Sequence, residues 1–335
     1  MLMFFQNADH CAKKFHIPLA TTSPTALLTN PSIDVIFNLT SDEFHEPYTI
    51  SALAAGKHVM IEKPITLSLP SAQRILAAER QAPNNARVFV GYMRRYAKSF
   101  TQTFKREVGT IDRILYARAR DFSGPNSKFV DESGTFQVKN GDFPDGAGEE
   151  RQKRLRVLFE EAFPGQPITQ ERVQFCRFLG SLGSHDISLM REVLGFPESV
   201  AGVSANEPFY SAIFNYKNAK NGEPFSVTYE SGIDGVPDFD AHFAVYGEKK
   251  RVTIKYDSPY VKGLPIKVTV QELNDAGEME TREMLGSYED AYTAELQELY
   301  ECLRNGREIK TTAEDAMEEL RLYDLMYERW EKDRV

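Results

Sequence analysis

Cysteine is scarce in this chain, and its few copies are far apart. Cys11, Cys176 and Cys302 are the only three among 335 residues, and no two of them form a C-x-x-C pair. Disulfide frameworks and zinc ribbons both depend on such paired spacings. A disulfide-stabilised secreted domain is therefore not expected, and a reducing, cytoplasmic setting fits the composition best.

Long apolar runs and excess positive charge are also missing. No stretch approaches the roughly 20 apolar residues that a membrane-spanning helix needs, and the opening MLMFF is too short for a secretory signal. Lys and Arg number 40 against 49 Asp and Glu, giving a net charge of −9. This balance argues against nucleic acid or a membrane surface as the partner. The six histidines are dispersed, so no metal site is predicted.

A glycine-rich phosphate loop is the most informative absence. Doubly wound folds that bind dinucleotides usually carry G-x-G-x-x-G at the first strand-to-helix turn. Nothing before Ile33 has the pattern of strand, glycine loop and helix, and the glycines of GSLG at 180–183 have the wrong spacing. If the fold is doubly wound, one βαβ unit of roughly 30 residues is not in this sequence. A truncated gene model or shortened isoform would explain this, and so would a true loss of cofactor binding.

A regular alternation of strand and helix does run from residue 33 to residue 91. Apolar runs of strand length alternate with helical segments in the order IDVIFNL, FHEPYTISALAAG, KHVMIEK, SLPSAQRILAAERQ and RVFVGYM. Right-handed crossovers would make the three strands parallel neighbours. We therefore predict an incomplete doubly wound, Rossmann-like parallel sheet within an NAD(P)-binding domain at residues 1–95. Ser68 is the expected N-cap of the second helix, and the first should end at Gly56.

The pattern changes after residue 95. A helix with Phe100, Phe104 and Val108 on one apolar stripe is followed by the alternating strand IDRILYARARD. Several alternating runs at 199–285 predict consecutive antiparallel strands, and two amphipathic helices at about 288–304 and 312–331 end the chain.

Residues 96–335 are thus predicted to be an α+β substrate-binding domain with a large, mostly antiparallel open sheet. Its exposed face could be covered by its own helices or by another subunit, and we favour a homodimer or homotetramer. The segment 122–170 is predicted to be long loops around one helix near 147–163, and these loops are expected to shape the substrate pocket.

The stretch AAGKHVMIEKPIT, residues 54–66, sets an acid, a base and a proline directly after the second predicted strand. Doubly wound sheets bind their ligands at the carboxyl ends of the strands. Pro64 fixes its own φ and biases Lys63 away from helical geometry, so the lysine side chain projects from a rigid point. An exposed loop lysine is the plain alternative, but the position at a strand end favours a functional one.

A second candidate lies in GSHDISLMREVLG, residues 183–195, which is predicted to be a helix. Ser184 or Asp186 is expected to cap it. His185 is then either an ordinary histidine at a helix start or an imidazole that takes and returns the proton of a substrate hydroxyl.

Residues 33–96 closely resemble the glucose-fructose oxidoreductase, inositol dehydrogenase and MocA (Gfo/Idh/MocA) family. The run AGKHVMIEKP carries the most specific part of the resemblance. The segments LGSHDISLMREVLGFP, VPDFDAHFAVYG and YDSPYVKGLP resemble a sugar-dehydrogenase-like branch of it. The resemblance therefore extends over nearly the whole chain from about residue 9.

This resemblance implies roles for the two candidates. Lys63 is expected beside the nicotinamide and the substrate hydroxyl, and His185 is expected to assist with the proton. Arg95 and Ser181 join these two as predicted substrate-binding residues. The plain alternative for Arg95 is that it and Arg94 form a pair of solvated arginines without a binding role.

The residues expected at the cofactor follow the first two strands. Leu39, Thr40, Ser41 and His45 match the cofactor-contacting turn of the family, and Glu62 is expected beside the nicotinamide ribose. Lys63 and Arg94 complete the predicted cofactor contacts. Thr40, Ser41 and His45 could instead merely cap and begin a helix.

The chain departs from the family around the histidine. The family commonly has an aspartate four residues before it and often another three residues after it, where this chain has Ser181 and Ser188. A carboxylate one helical turn away would orient the imidazole and stabilise its charged form, whereas a serine only hydrogen-bonds. His185 is therefore expected to be a weaker base.

The activity implied by the resemblance is an NAD(P)-dependent transfer of hydride between a sugar or polyol hydroxyl carbon and nicotinamide. NAD and NADP are not distinguished, because the residue that reads the ribose lies at the end of a second strand that is absent or ambiguous here. The alternative is a non-catalytic or cofactor-deficient relative that acts as a binding protein.

Overall fold

The computed structural model describes residues 5–133, 144–261 and 263–334. The helices are α1 Phe5–Phe15, α2 Pro24–Leu28, α3 His45–Ala54, α4 Leu69–Gln81, α5 Lys105–Gly109, α6 Asn126–Glu132, α7 Ala147–Ala162, α8 Gln170–Phe178, α9 Ser184–Leu194, α10 Ala291–Asn305 and α11 Ala313–Asp333. The strands are β1 Val35–Asn38, β2 His58–Glu62, β3 Val88–Gly91, β4 Ile114–Ser123, β5 Ser199–Asn206, β6 Phe209–Lys217, β7 Pro224–Ile233, β8 Phe239–Gly247, β9 Lys250–Tyr256, β10 Lys267–Leu273 and β11 Met279–Leu285. Within these residues, no helix is both long and apolar enough to cross a membrane.

Spatial contacts divide the chain into two compact units. The first takes in Met1–Gly91, Phe136–Gly180 and Glu301–Leu320, and the second Tyr92–Thr135, Ser181–Tyr300 and Arg321–Val335. Each unit therefore draws on three stretches of the chain, whereas the sequence suggested the two consecutive domains 1–95 and 96–335. That division stays a prediction about domain boundaries.

The first unit contains a three-stranded parallel sheet in the order β1-β2-β3. Val35 of β1 pairs with His58 of β2, and Val59 of β2 pairs with Val88 of β3. All of β3 and the middle of β2 are buried, as expected when helices cover both faces of a parallel sheet. The predicted incomplete doubly wound sheet is confirmed.

Helix ends in this unit follow local sequence signals. The Ser68 hydroxyl accepts a hydrogen bond from the Ser71 N–H at 3.3 Å and begins α4, and Thr312 accepts one from the Asp315 N–H at 3.1 Å and begins α11. Gly56 has φ +70°, the left-handed conformation that commonly follows a helix end, and α3 stops just before it. These positions match the predictions.

One edge of the parallel sheet is apolar and open. Among the described residues, β1 has a neighbouring strand only on the β2 side. A groove beside it is lined by Leu27, Leu28, Ile33 and Tyr48, with Phe37 41% exposed. The apolar groove therefore lies along the β1 edge of the sheet.

The second unit is built on an eight-stranded sheet in the order β11-β10-β9-β8-β4-β7-β6-β5. The pair β4 and β7 is parallel, and the other neighbouring pairs are antiparallel. Helix α9 packs against β4. The predicted large, mostly antiparallel sheet is confirmed.

The helix predicted after residue 95 is irregular. Ser99–Phe104 forms a π-helical turn, and α5 follows it for only five residues. Phe100 and Phe104 are nevertheless buried on one face, with ring centroids 6.0 Å apart, and Phe104 also lies 5.3 Å from Phe243. The apolar stripe was predicted from its spacing, whereas the widened turn, which shifts the register by one residue, was not.

Candidate functional site

Lys63 stands directly after β2, at the carboxyl end of a central strand of the parallel sheet. Its side chain is half-buried, and the Lys63 N–H donates to a carboxyl oxygen of Glu62 at 3.2 Å. The peptide bond between Lys63 and Pro64 is cis, a feature that the sequence did not predict. The lysine therefore projects from a short, ordered turn at the strand end.

The imidazole ring of His45 contacts the backbone of this turn. The ring is buried, and its Nδ1 lies 2.8 Å from the carbonyl oxygen of Pro64, while its Nε2 lies 2.9 Å from that of Thr40. A neutral ring has one N–H and donates to one of these carbonyls, whereas an imidazolium donates to both. His45 thus links the turn after β1 to the turn after β2, a role that a capping histidine would not have.

Glu62 is the half-buried last residue of β2. Burial raises the pKa of its carboxyl above the ordinary glutamate value, and the neighbouring Lys63 opposes that shift. Gly91 of β3 lies alongside, where an added Cβ would stand 2.8 Å from the Met60 side chain and 3.4 Å from the Glu62 carboxyl carbon. The glycine therefore leaves room for this carboxyl at the strand ends.

The residues after β1 are partly committed to local contacts. The Thr40 hydroxyl donates to the buried Asn38 amide oxygen at 2.7 Å, and the Ser41 hydroxyl donates to Glu43 at 2.6 Å. Leu39 between them is 63% exposed. Leu39 and Ser41 are exposed at this edge of the sheet, and contact of all three residues with a cofactor stays a prediction.

Asn38 is a structural residue of this turn that the sequence did not single out. Its amide nitrogen donates to the His45 carbonyl at 3.0 Å and to the Thr49 hydroxyl at 3.1 Å, and its oxygen accepts from Thr40. A buried asparagine at the end of an apolar strand was the available signal, because such a side chain must find hydrogen-bond partners.

Gly180 packs closely against the residues that follow Lys63. A Cβ at this position would lie 2.7 Å from the Leu67 side chain and 3.0 Å from the Pro64 ring. Gly180 of the GSLG segment is thus a close-packing position against the proline.

His185 lies on α9, where the structure corrects the predicted helix start. The π-helical turn Leu179–Gly183 leads into α9, and Gly183 already has helical φ and ψ angles. The Ser184 hydroxyl donates back to the Ser181 carbonyl at 3.0 Å, and Asp186 faces Arg94. Neither residue caps the helix as predicted, because the chain is already helical when it reaches them.

The two serines at the family's aspartate positions behave differently from each other. Ser188 is buried and donates to the His185 carbonyl at 3.1 Å, so its hydroxyl bonds the backbone. Ser181 is exposed. His185 itself is half-buried, and the roles of His185 and Ser181 toward a substrate stay predictions.

Arg94 is buried between two carboxyl groups of the second unit. One of its terminal nitrogens lies 2.9 Å from Asp121 of β4 and 3.1 Å from Asp186 of α9, and all three side chains are at most 4% exposed. Burial disfavours the Arg94 cation, yet the two carboxyls raise its pKa above the ordinary value. The sequence did not single out Asp121, and it offered Asp186 only as a candidate helix cap.

Arg95 is also buried, and its Nε lies 2.6 Å from a carboxyl oxygen of Glu192. Lys105 approaches the other oxygen of Glu192 at 2.8 Å. The alternative of a solvated arginine pair is therefore wrong, because both guanidinium groups are buried in ion pairs. Their predicted contacts with cofactor and substrate stay predictions.

Two sequence models of one oxidoreductase family match the chain. The family's NAD-binding Rossmann fold matches residues 5–92, and its C-terminal alpha/beta domain matches residues 169–335. The chain is also 23% identical to the myo-inositol 2-dehydrogenase of Thermotoga maritima over 310 residues, which covers 90% of this chain and 79% of that protein. It is 29% identical to the scyllo-inositol 2-dehydrogenase (NAD(+)) of Bacillus subtilis over 130 residues, 38% of this chain and only 37% of that relative's length.

Solved structures share the fold over nearly the whole chain. Levoglucosan dehydrogenase in complex with NADH and levoglucosan gives a TM-score of 0.71 at 16% identity and covers 99% of this chain and 87% of that one. The aldose-aldose oxidoreductase from Caulobacter crescentus gives 0.69 at 18% identity, covering 98% and 88%. At these identities the likeness establishes the fold alone.

Proposed function

Because the chain belongs to the Gfo/Idh/MocA oxidoreductase family, we propose that it transfers a hydride between a hydroxyl-bearing carbon of a sugar or polyol and a nicotinamide cofactor. The observation that carries the proposal is the position of Lys63, half-buried at the carboxyl end of β2 in a turn that His45 holds through Pro64. The names of the inositol and levoglucosan dehydrogenases support a sugar or polyol as the substrate class.

The residues at the carboxyl ends of β1 and β2 suit a nicotinamide nucleotide. Leu39 offers exposed apolar surface that a planar ring would cover, and Glu62 offers a carboxyl group for ribose hydroxyls. Thr40, Ser41 and His45 shape the turn that follows β1. When bound, the nicotinamide supplies the hydride acceptor or donor.

Lys63 is proposed to be the proton acceptor. In the oxidation direction the substrate carbon loses a hydride, its hydroxyl loses a proton to the neutral amine, and a carbonyl remains. The turn restricts where the amine can lie, because Pro64 follows it directly and Gly180 packs against the proline ring. Such restriction favours proton transfer, which needs the two heavy atoms within hydrogen-bond distance.

His185 is proposed to bind and orient the reacting hydroxyl, with Ser181 and Arg95 as further substrate contacts. An imidazole ring nitrogen either donates to or accepts from a hydroxyl group, depending on whether it carries the proton. Arg94 is proposed to act at the cofactor. Both arginines are buried in ion pairs with carboxyl groups, so they would contribute mainly by holding their neighbours in place.

Titration of the full chain with NADH and NADPH, followed by nucleotide fluorescence, tests the proposal first. We expect saturable binding of at least one nucleotide, and the ratio of the two dissociation constants decides between NAD and NADP. Initial-rate assays with inositols, aldoses and anhydrosugars then identify the substrate class. No saturable signal with either nucleotide would favour the cofactor-deficient alternative, which neither the family match nor the named relatives support.

The open sheet of the second unit is proposed to be the surface of a homo-oligomer. Its strands carry Ile213, 46% exposed, and Phe209, 39% exposed, next to charged pairs such as Arg120 with Glu230. Light scattering of the purified protein tests this. We expect a dimer or tetramer, and Ile213→Glu should shift it towards the monomer.

A further inference from the structure

The buried cluster of Arg94, Asp121 and Asp186 has one more carboxyl than it has positive charge. The guanidinium approaches both carboxyls at 2.9 and 3.1 Å, and the two aspartates are fully buried. If both were ionised, the cluster would carry one uncompensated negative charge away from water, which is strongly unfavourable. A proton on one carboxyl removes that charge.

The hydrogen-bond contacts favour a proton on Asp186 over one on Asp121. Among the described residues, neither oxygen of Asp121 has a well-aligned N–H or O–H donor, although Arg94 lies close to one of them. Asp186 accepts two contacts from Arg94, at 3.1 and 3.3 Å, and its side chain lies within hydrogen-bond reach of Asp121. A protonated Asp186 would supply the donor that Asp121 lacks.

The groups around the pair favour the neutral form. Burial raises the pKa of Asp186 well above the ordinary aspartate value, Arg94 opposes this, and Asp121 adds to it. Tyr256 of β9 lies 5.0 Å from the guanidinium, and burial raises its pKa, so it stays an uncharged phenol. Glu192, the other carboxylate of α9 near this cluster, is already paired with Arg95.

We propose that Asp186 is a positioning residue: as a neutral carboxylic acid it donates a hydrogen bond to Asp121 and, together with Arg94, fixes helix α9 and the adjacent His185. Successive residues of an α-helix point about 100° apart, so a hydrogen bond from Asp186 to β4 also fixes the direction of the neighbouring His185 side chain. The assignment to His185 rests on the proposed function, whereas the protonation of Asp186 does not.

Infrared difference spectroscopy of the full chain at neutral pH tests the proton without any cofactor. The wild type minus Asp186→Asn spectrum should contain the C=O stretch of one protonated carboxylic acid. Asp121→Asn should lose the same band, because Asp186 then becomes the only counter-ion of Arg94 and ionises. A difference spectrum without that band would overturn the protonation.

The NMR signals of the His185 ring, assigned with His185→Asn, test the positioning, again without substrate. Asp186→Ala should shift and broaden them, whereas Asp186→Asn, whose amide still donates to Asp121, should leave them close to the wild type. Glu198→Gln, which removes an exposed carboxylate four residues after this helix ends, is the matched control and should leave them unchanged. Unaltered His185 signals in Asp186→Ala would end the positioning role.

Turnover gives a second and separable readout. If the chain oxidises a sugar or polyol, Asp186→Ala should lower kcat at least tenfold with little change in cofactor KM, and Asp186→Asn should restore most of it. Equal losses in the two variants would contradict the role of a neutral donor. If the wild type has no turnover, the proposed function fails, and the infrared and NMR results still decide the inference.

Discussion

The turn that carries Lys63 and the helix that carries His185 are held in different ways. Around Lys63 the contacts run from a neutral or singly charged imidazole to two backbone carbonyls, at Pro64 and Thr40. Around His185 a buried guanidinium and two buried carboxyls join three separate elements. Backbone hydrogen bonds tolerate small electrostatic changes, whereas a buried charge cluster depends on its exact proton count.

The difference predicts where each region is vulnerable. Removing the N–H group that holds the Lys63 turn leaves a carbonyl unsatisfied, which costs about 1–3 kcal/mol. Removing the last negative charge from the Arg94 cluster leaves an unpaired buried cation, which costs about 3–5 kcal/mol. The following experiments test this contrast in order of expected effect.

The largest effect is expected at Lys63 itself. Lys63→Met should lower kcat by about 10²–10⁴, because the proton acceptor is lost while the turn and nicotinamide binding remain. Steady-state rates and nucleotide titration measure the two quantities separately. Lys153→Met, an exposed lysine of α7, is the control and should be unaffected. Near-normal turnover in Lys63→Met would show that the amine does not take the proton.

The next largest effect concerns the charge of the Arg94 cluster. Asp121→Asn and Asp186→Asn each leave one carboxylate for Arg94, so each single variant should be mildly affected. The double variant should lose about 3–5 kcal/mol of unfolding free energy beyond the sum of the singles, as measured by chemical denaturation. Additive losses of unfolding free energy would mean that Asp121 and Asp186 cannot replace each other as the counter-ion of Arg94.

A smaller effect is expected from removing the His45 imidazole, which contacts the turn that carries Lys63. His45→Ala should lower the unfolding free energy by about 1–3 kcal/mol, because the Pro64 and Thr40 carbonyls lose their buried partner. It should also reduce kcat, since the Lys63 turn loosens. His10→Ala, a partly exposed residue of α1, is the matched control. A stable, fully active His45→Ala would show that the proline turn holds itself.

The last effect is a pH dependence of stability, which is the smallest only when it is expressed per pH unit. Above the ordinary aspartate pKa of 3.8, the native state keeps the Asp186 proton that the unfolded chain has lost. Stability should therefore fall as the pH rises, by about 1.4 kcal/mol per pH unit until the native carboxyl titrates. Asp186→Asn lacks this proton, so the advantage of the wild type over this variant should shrink from about pH 4 upward. Parallel stability curves would contradict the raised pKa.

Local patterns predicted much of what was found. Apolar runs gave β1, β2 and β3, and Ser68 and Gly56 marked helix ends correctly, because strand burial and capping depend on a few neighbouring residues. The position of Lys63 directly after β2 was also predicted from the local pattern, whereas its catalytic role stays a prediction. The pocket role assigned to the loops at 122–170 stays a prediction, and residues 134–143 of it lie outside the described residues.

Contacts between residues that are remote in the chain could not be predicted from the sequence. Ser184 was a reasonable cap by local rules, yet the preceding π-helical turn already supplies helical geometry. Asp121 and Asp186 are 65 residues apart in the numbering of the chain and gave no pairwise signal in one sequence. Their role emerges only when β4 and α9 bring them to one guanidinium.

By itself the sequence determined the three parallel strands, the helix ends at Ser68 and Gly56, and the position of Lys63 at a strand end, since each follows from interactions between residues close in the chain. The tertiary structure alone decided that His45 joins two turns and that Arg94 lies between two buried carboxyls. The physical reason is that electrostatic and hydrogen-bond energies depend on distance and burial, and folding sets both for residues that are remote in sequence.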